Sequence, residues 1–129
     1  MKQLFGIIFT LVFLNACSES FKTVDAKAFN NKIANRTDIT TPEELVKLYY
    51  ADPERSVPAK ISIHTSKLKE DSYVITLIDE GLEDDSQSAE KIIMLARQTG
   101  ETWVVIQIKK NWKCEDGRGH TNWGTKPCN

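Results

Sequence analysis

The sequence predicts an α+β domain: one helix packed on a curved antiparallel sheet of about four strands, finished by a disulfide-closed C-terminal loop. Three observations carry this. A well-signalled helix start lies at Thr41-Pro42-Glu43-Glu44. From Lys60 onward the apolar residues alternate instead of recurring at helical spacing. Two of the three cysteines, Cys114 and Cys128, bracket a glycine-rich end.

The elements follow in chain order. Met1-Lys2 is a short positive start, and Leu4 to Leu14 is an uncharged, largely apolar run of eleven residues. That is the length of a signal core and too short to span the roughly 30 Å of a bilayer interior, which takes roughly 20 residues. Polarity returns at Asn15 and continues through Ser18-Glu19-Ser20. The boundary Leu14-Asn15-Ala16-Cys17 resembles the lipobox of bacterial lipoproteins. The resemblance implies that residues 1–16 are a signal peptide and that Cys17, acylated on its thiol, becomes the first residue of the mature chain. Two or more acyl chains, at ~0.8 kcal/mol per buried CH₂, hold a protein at a membrane where one chain lets it leave. Ser18, a residue other than Asp after the lipidated cysteine, points to the periplasmic face of the outer membrane by the sorting rule of enteric lipoproteins.

Removing 16 residues from 129 leaves 113, enough for one domain with its own core. Of 17 basic side chains one, Lys2, goes with the signal, so 16 remain against 18 acidic ones, and no basic run exceeds two residues. This balance makes no electrostatic case for nucleic acid or for an anionic membrane surface. With Cys17 assigned to lipid, Cys114 and Cys128 remain in a compartment that favours disulfides. One pair has one connectivity, and the closed loop is worth about 3 kcal/mol in the chain-entropy model. A metal site on these thiols has His120 as a further ligand and no clear fourth.

Residues 17–40 read as the lipidated cysteine and a flexible tether. Val24 to Ala34 offers a short helix with Phe29 and Ile33 four apart, opposed by its asparagines. Residues 41–129 read as the single domain. Thr41 supplies an N-cap hydroxyl, Pro42 the first helical position, and Glu44 the reciprocal carboxylate of a capping box. Leu45, Leu48 and Tyr49 share a helical face, and Tyr49 and Tyr50 are expected to pack with hydroxyls reaching water. Strands are expected at Lys60–His64, Tyr73–Ile78, Ala89–Gln98 and Trp103–Ile108, with Ile92 and Met94 on one face and Ile93 and Leu95 on the other. Gln98-Thr99-Gly100-Glu101 reads as a hairpin turn. Two strands apolar on both faces call for curvature or a second covering element. The element order resembles the cystatin-like and NTF2-like layouts, a likeness of fold order that implies no activity.

The segment from Trp112 to Cys128 holds Trp-Lys-Cys, Gly-Arg-Gly-His, a second Trp and a final Cys. From the Asp-Asp-Ser turn at 84–86 onward it resembles an uncharacterised family of small secreted bacterial proteins, which brings no activity with it. Arg118, His120 and Trp123 are the candidate binding residues, because Arg and Trp dominate binding hot spots and a guanidinium fits carboxylate or phosphate. In the competing structural reading Trp112 and Trp123 pack the loop on the sheet edge. A hydrolytic set of His120, Asp116 and Ser62 or Ser66 has no supporting spacing. No phosphate-binding glycine loop, paired-histidine helix or nucleophile elbow is present. The expectation is therefore a non-catalytic, lipid-anchored envelope protein that uses no cofactor, metal or nucleic acid. It would bind another envelope protein or polymer. A small-ligand carrier lined by Tyr49, Tyr50 and Trp103 is the alternative.

Overall fold

The computed structural model describes residues 18–51 and 60–129. The signal segment 1–16 and the lipid site Cys17 lie outside the described residues, as does the Asp52-Pro53 helix stop. Seven elements follow one another: β1 (Lys22–Val24), α1 (Lys27–Ile33), α2 (Pro42–Tyr50), β2 (Ile61–Lys69), β3 (Ser72–Asp79), β4 (Gln87–Thr99) and β5 (Thr102–Cys114). The sheet has the order β1-β5-β4-β3-β2, with every neighbour antiparallel. β2 to β5 form a meander, and β1 returns to the outside of β5.

The α+β class stands, with two corrections. There are two helices and five strands, where one and about four were expected. The stretch read as a tether carries β1, α1 and three core residues, Phe29, Ile33 and Ile39. β1 has three residues, too few for an alternating pattern, and α1 has seven, too few for a clear helical period. Their folding rests on tertiary partners. The Asp25 carboxylate accepts from the Lys27 amide (2.9 Å) at the start of α1. Phe29 and Ile33, one turn apart, are buried against β5 and α2, and the Phe29 ring meets Tyr49 edge-on at 5.2 Å.

α2 begins as its sequence requires. Thr41 Oγ1 accepts from the Glu44 amide (3.2 Å), and Glu44 Oε2 accepts from the amides of Thr41 (3.2 Å) and Thr40 (2.7 Å). Leu45 and Val46 enter the core. The β4–β5 turn places Gly100 at φ 62°, a conformation favouring glycine.

Strand parity divides the sheet into two faces. Ile75 and Leu77 of β3, Ile92 and Met94 of β4, and Trp103, Val105 and Ile108 of β5 face the helices and form the core with Phe29, Ile33, Ile39, Leu45 and Val46. Trp103 donates its indole N–H to the Ile39 carbonyl (2.9 Å), fastening the α1–α2 connection to β5. Ile106 is an extra residue in β5: Leu95 pairs with Gln107 and Ala96 with Val105. Such a bulge strengthens local twist. The opposite face, here the back face, carries Val74, Thr76 and Ile78, then Lys91, Ile93 and Leu95, then Lys109, Asn111 and Lys113. β5 runs past Ile108 because its ladder with β4 continues to Cys114 in spite of the lysines. Among the described residues no helix is long and apolar enough to cross a membrane.

Candidate functional site: the disulfide-closed loop and the N-terminal strap

The loop after β5 turns back along the outer edge of that strand. Trp112 and Gly124 exchange two backbone hydrogen bonds of 3.0 Å, and the Cys114 amide donates to the His120 carbonyl (2.8 Å). The Arg118 amide donates to the Glu115 carbonyl (2.9 Å), and the Asn129 amide donates to the Arg118 carbonyl (2.6 Å). Cys114 and Cys128 are disulfide-bonded with Cα atoms 5.6 Å apart. Gly119, at φ 142°, passes so close to this bridge that an added Cβ would lie 2.9 Å from Cys114 Sγ.

The three candidate residues have separate environments. His120 turns into the loop. Its Nδ1 lies 2.8 Å from the Asn122 carbonyl and its Nε2 lies 2.9 Å from the Lys126 carbonyl. A neutral imidazole has one N–H and satisfies one of these acceptors at a time; an imidazolium satisfies both. Arg118 is exposed and donates to the Asn129 carbonyl (3.1 Å). Trp123 wraps onto the back face, with the Lys91 ammonium 4.3 Å and the Lys113 ammonium 4.7 Å from its ring centroid. Trp112 donates its indole N–H to the Lys126 carbonyl (3.1 Å). His120, Trp112 and Trp123 are thus engaged with the loop and sheet, as in the structural reading. Glu115, Asp116, Arg118, Thr121, Asn122 and Lys126 remain exposed.

Beside the loop lies a feature absent from the sequence reading. Residues 18–21 cross the back face as a strap. Glu19 accepts from Lys91 Nζ (2.7 Å), and the Ser20 carbonyl accepts from Asn111 Nδ2 (3.1 Å). The Ser20 hydroxyl lies 3.3 Å from that of Thr125, and the Phe21 ring sits 5.7 Å from the Lys109 ammonium. The ammonium of Lys91 holds the Glu19 carboxyl below the ordinary glutamate range. The signal for this face was in the alternation: 109, 111 and 113 are two apart on one strand, and Lys91 stands opposite Asn111.

The remaining candidates are dispersed. Trp103 and Tyr49 are packed in or against the core, and burial pushes the Tyr49 hydroxyl pKa up. The Tyr50 hydroxyl, expected in water, donates to the buried carboxylate Asp79 (3.0 Å), with Glu90 Oε2 at 3.4 Å. Ser62 and Ser66 lie on β2, the opposite edge of the sheet from His120, and Ser66 Oγ is 3.4 Å from His64 Nε2. The ligand atoms of Cys114, His120 and Cys128 lie within 4.8 Å of one another. The sulfurs are bonded to each other, and reduction alone would free them as thiolate ligands. Comparison with family models, with curated proteins and with solved structures finds no match.

Proposed function

We propose that this chain is a lipoprotein of the bacterial cell envelope, anchored through Cys17 at the periplasmic face of the outer membrane. Its domain acts as a non-catalytic binding module. Its partner is another envelope protein or an envelope polymer, met through the exposed side of loop 115–127. The observation that carries this reading is the fixation of that loop. A disulfide, the Trp112–Gly124 and Cys114–His120 bonds and the His120 ring, set between the Asn122 and Lys126 carbonyls, hold its backbone, while Arg118, Thr121 and Asn122 are exposed. A loop already ordered loses little conformational freedom on binding. Packing of Tyr49 and Trp103 into the core favours this module over a carrier with a pocket between helix and sheet.

Two experiments test it. Metabolic labelling with palmitate should mark the wild type and leave Cys17→Ser unlabelled; an unlabelled wild type would refute the anchor. Capture from solubilised envelopes and co-sedimentation with purified cell-wall polymer should be lost in Arg118→Ala/Asn122→Ala with the melting temperature unchanged. Capture that survives the double substitution would remove the loop as the contact surface.

A further inference from the structure

We infer that the back face of the sheet, with Lys69, Arg97 and Lys109 set around Ile78, Ile93 and Leu95, lies against the anionic phospholipid headgroups of the membrane that holds the anchor. The inference rests on the lipid-anchor reading and adds to it an orientation and a lipid chemistry.

The first support is charge segregation. Strand pairing places Lys91, Lys109 and Lys113 on the back face, with Arg97 and Lys69 in register beside Ser72 at its far corner. The two carboxylates within the strands, Asp79 and Glu90, both lie on the helix side, while Glu70 and Asp71 of the β2–β3 turn stand at the rim, Asp71 lining one hollow with Arg97. On the back face the strap supplies one carboxylate, Glu19, which is taken by Lys91. Among the described residues Lys69, Arg97, Lys109 and Lys113 have no ion-pair partner. Net charge near zero and the lack of a basic run conceal this face, because the alternation of strands and the pairing of distant segments assemble it. Each Lys or Arg near an anionic leaflet favours attachment by about fivefold.

The second support is the apolar strip between the cations. Ile78, Ile93 and Leu95 are half-buried, and Val104 beside Arg97 is 44% exposed. Among the described residues no helix covers this strip; the strap and loop cover the part of the face around Lys91, Lys109, Asn111 and Lys113. Apolar side chains ringed by lysine and arginine suit the boundary between headgroups and acyl chains.

The third support is where the chain leaves. Running backward from β1, the strap passes Lys109, then Asn111, then Lys91, from the edge of the sheet to its middle. Residue 17 is joined to Glu19 by about 7 Å of chain at most. The strap thus brings the chain onto the back face at Lys91, and an anchor so close to Glu19 in the chain would draw this face of the domain toward the lipid.

The test uses the mature protein purified from membranes and reconstituted in two kinds of vesicle. One is an equal mixture of phosphatidylglycerol and phosphatidylethanolamine, the other phosphatidylcholine alone. Lysine acetylation rates are read by mass spectrometry and expressed relative to Lys32 and Lys47 on the helices, which cancels the share of protein facing the lumen. Relative to the helix lysines, Lys69 and Lys109 should react about fivefold more slowly in the anionic vesicles than in phosphatidylcholine. Equal relative rates in both vesicles, with acyl mass present on residue 17, would overturn the orientation and leave the anchor standing. A mature chain without acyl mass that fails to float with vesicles would overturn both. Protection that persists in detergent together with a dimer mass would assign the face to a second copy of the chain and overturn the lipid contact.

Discussion

Asn30 and Val105 exchange two hydrogen bonds of 2.8 Å, the side-chain amide donating to the Val105 carbonyl and accepting from its N–H. The amide stands where a strand neighbour would stand. β1 covers the next stretch of the same edge, pairing with Ile108 to Lys110, and Gly124 and His120 of the loop cover Trp112 and Cys114. One side chain and three main-chain segments thus satisfy the outer edge of β5 from Val105 to Cys114.

Asn30→Ala should lower stability by about 1–3 kcal/mol, since a partly buried peptide group loses both of its partners. Urea denaturation measures this, and faster amide exchange at Val105 locates it. A variant as stable as the wild type would show that water replaces the amide without loss.

Removing the disulfide with Cys114→Ser/Cys128→Ser should cost about 3 kcal/mol. The loss should concentrate in the loop, so exchange at Cys114 and Gly124 should rise more than at Ile92 or Met94. Uniform acceleration across both sets would show instead that the loop and sheet unfold as one unit.

Gly119→Ala should destabilise the oxidised protein by about 1–3 kcal/mol, because φ 142° is strained for an L side chain and the new methyl meets Cys114 Sγ. Reduction should relieve part of this, so the gap in melting temperature between oxidised and reduced protein should narrow. An unchanged gap would place the strain elsewhere.

Glu19 should titrate below the ordinary glutamate value of about 4.5, owing first to the hydrogen bond from Lys91. A carboxyl held lower in the folded state contributes stability that is complete above the unfolded value. That contribution is lost as pH falls through the folded value. The strap should therefore loosen in acid, and Lys91→Ala should return the Glu19 midpoint toward 4.5. Carbon-detected NMR of the carboxyl reads this directly; a wild-type midpoint at or above 4.5 would show that the ion pair does not hold in solution.

What the sequence made legible was local. The capping box of Thr41 and Glu44 spans three residues, the Gly100 turn joins adjacent strands, and the opposite facing of Ile92 and Ile93 follows from alternation. The disulfide followed from counting cysteines once Cys17 was set aside. What stayed hidden depends on partners far along the chain. Asn30 reads as a helix-weakening residue until Val105, 75 positions away, meets it, and Glu19 reads as part of a polar tether until Lys91, 72 positions away, pairs with it. Lys109 and Lys110 look like the end of a strand, and only the continuing ladder with β4 shows otherwise. Within the candidate site, Arg118, His120 and Trp123 stood out by type and spacing. The inward turn of His120 and the seating of Trp123 on Lys91 and Lys113 required the fold.

The composite cover of the β5 edge also sets an order of assembly. The β4–β5 hairpin closes through the two-residue turn Gly100–Glu101 and forms early, because its contacts are local. The strand and side chain that finish its edge come from about 75 to 90 residues upstream. The remainder comes from a loop that is fixed only when two sulfurs are oxidised. A newly made chain held under reducing conditions would accordingly present an incompletely paired strand, open to joining its copies edge to edge. Oxidation and docking of the N-terminal segment then act as the steps that end this exposure, and the yield of monomer on refolding should depend on whether they outrun intermolecular pairing.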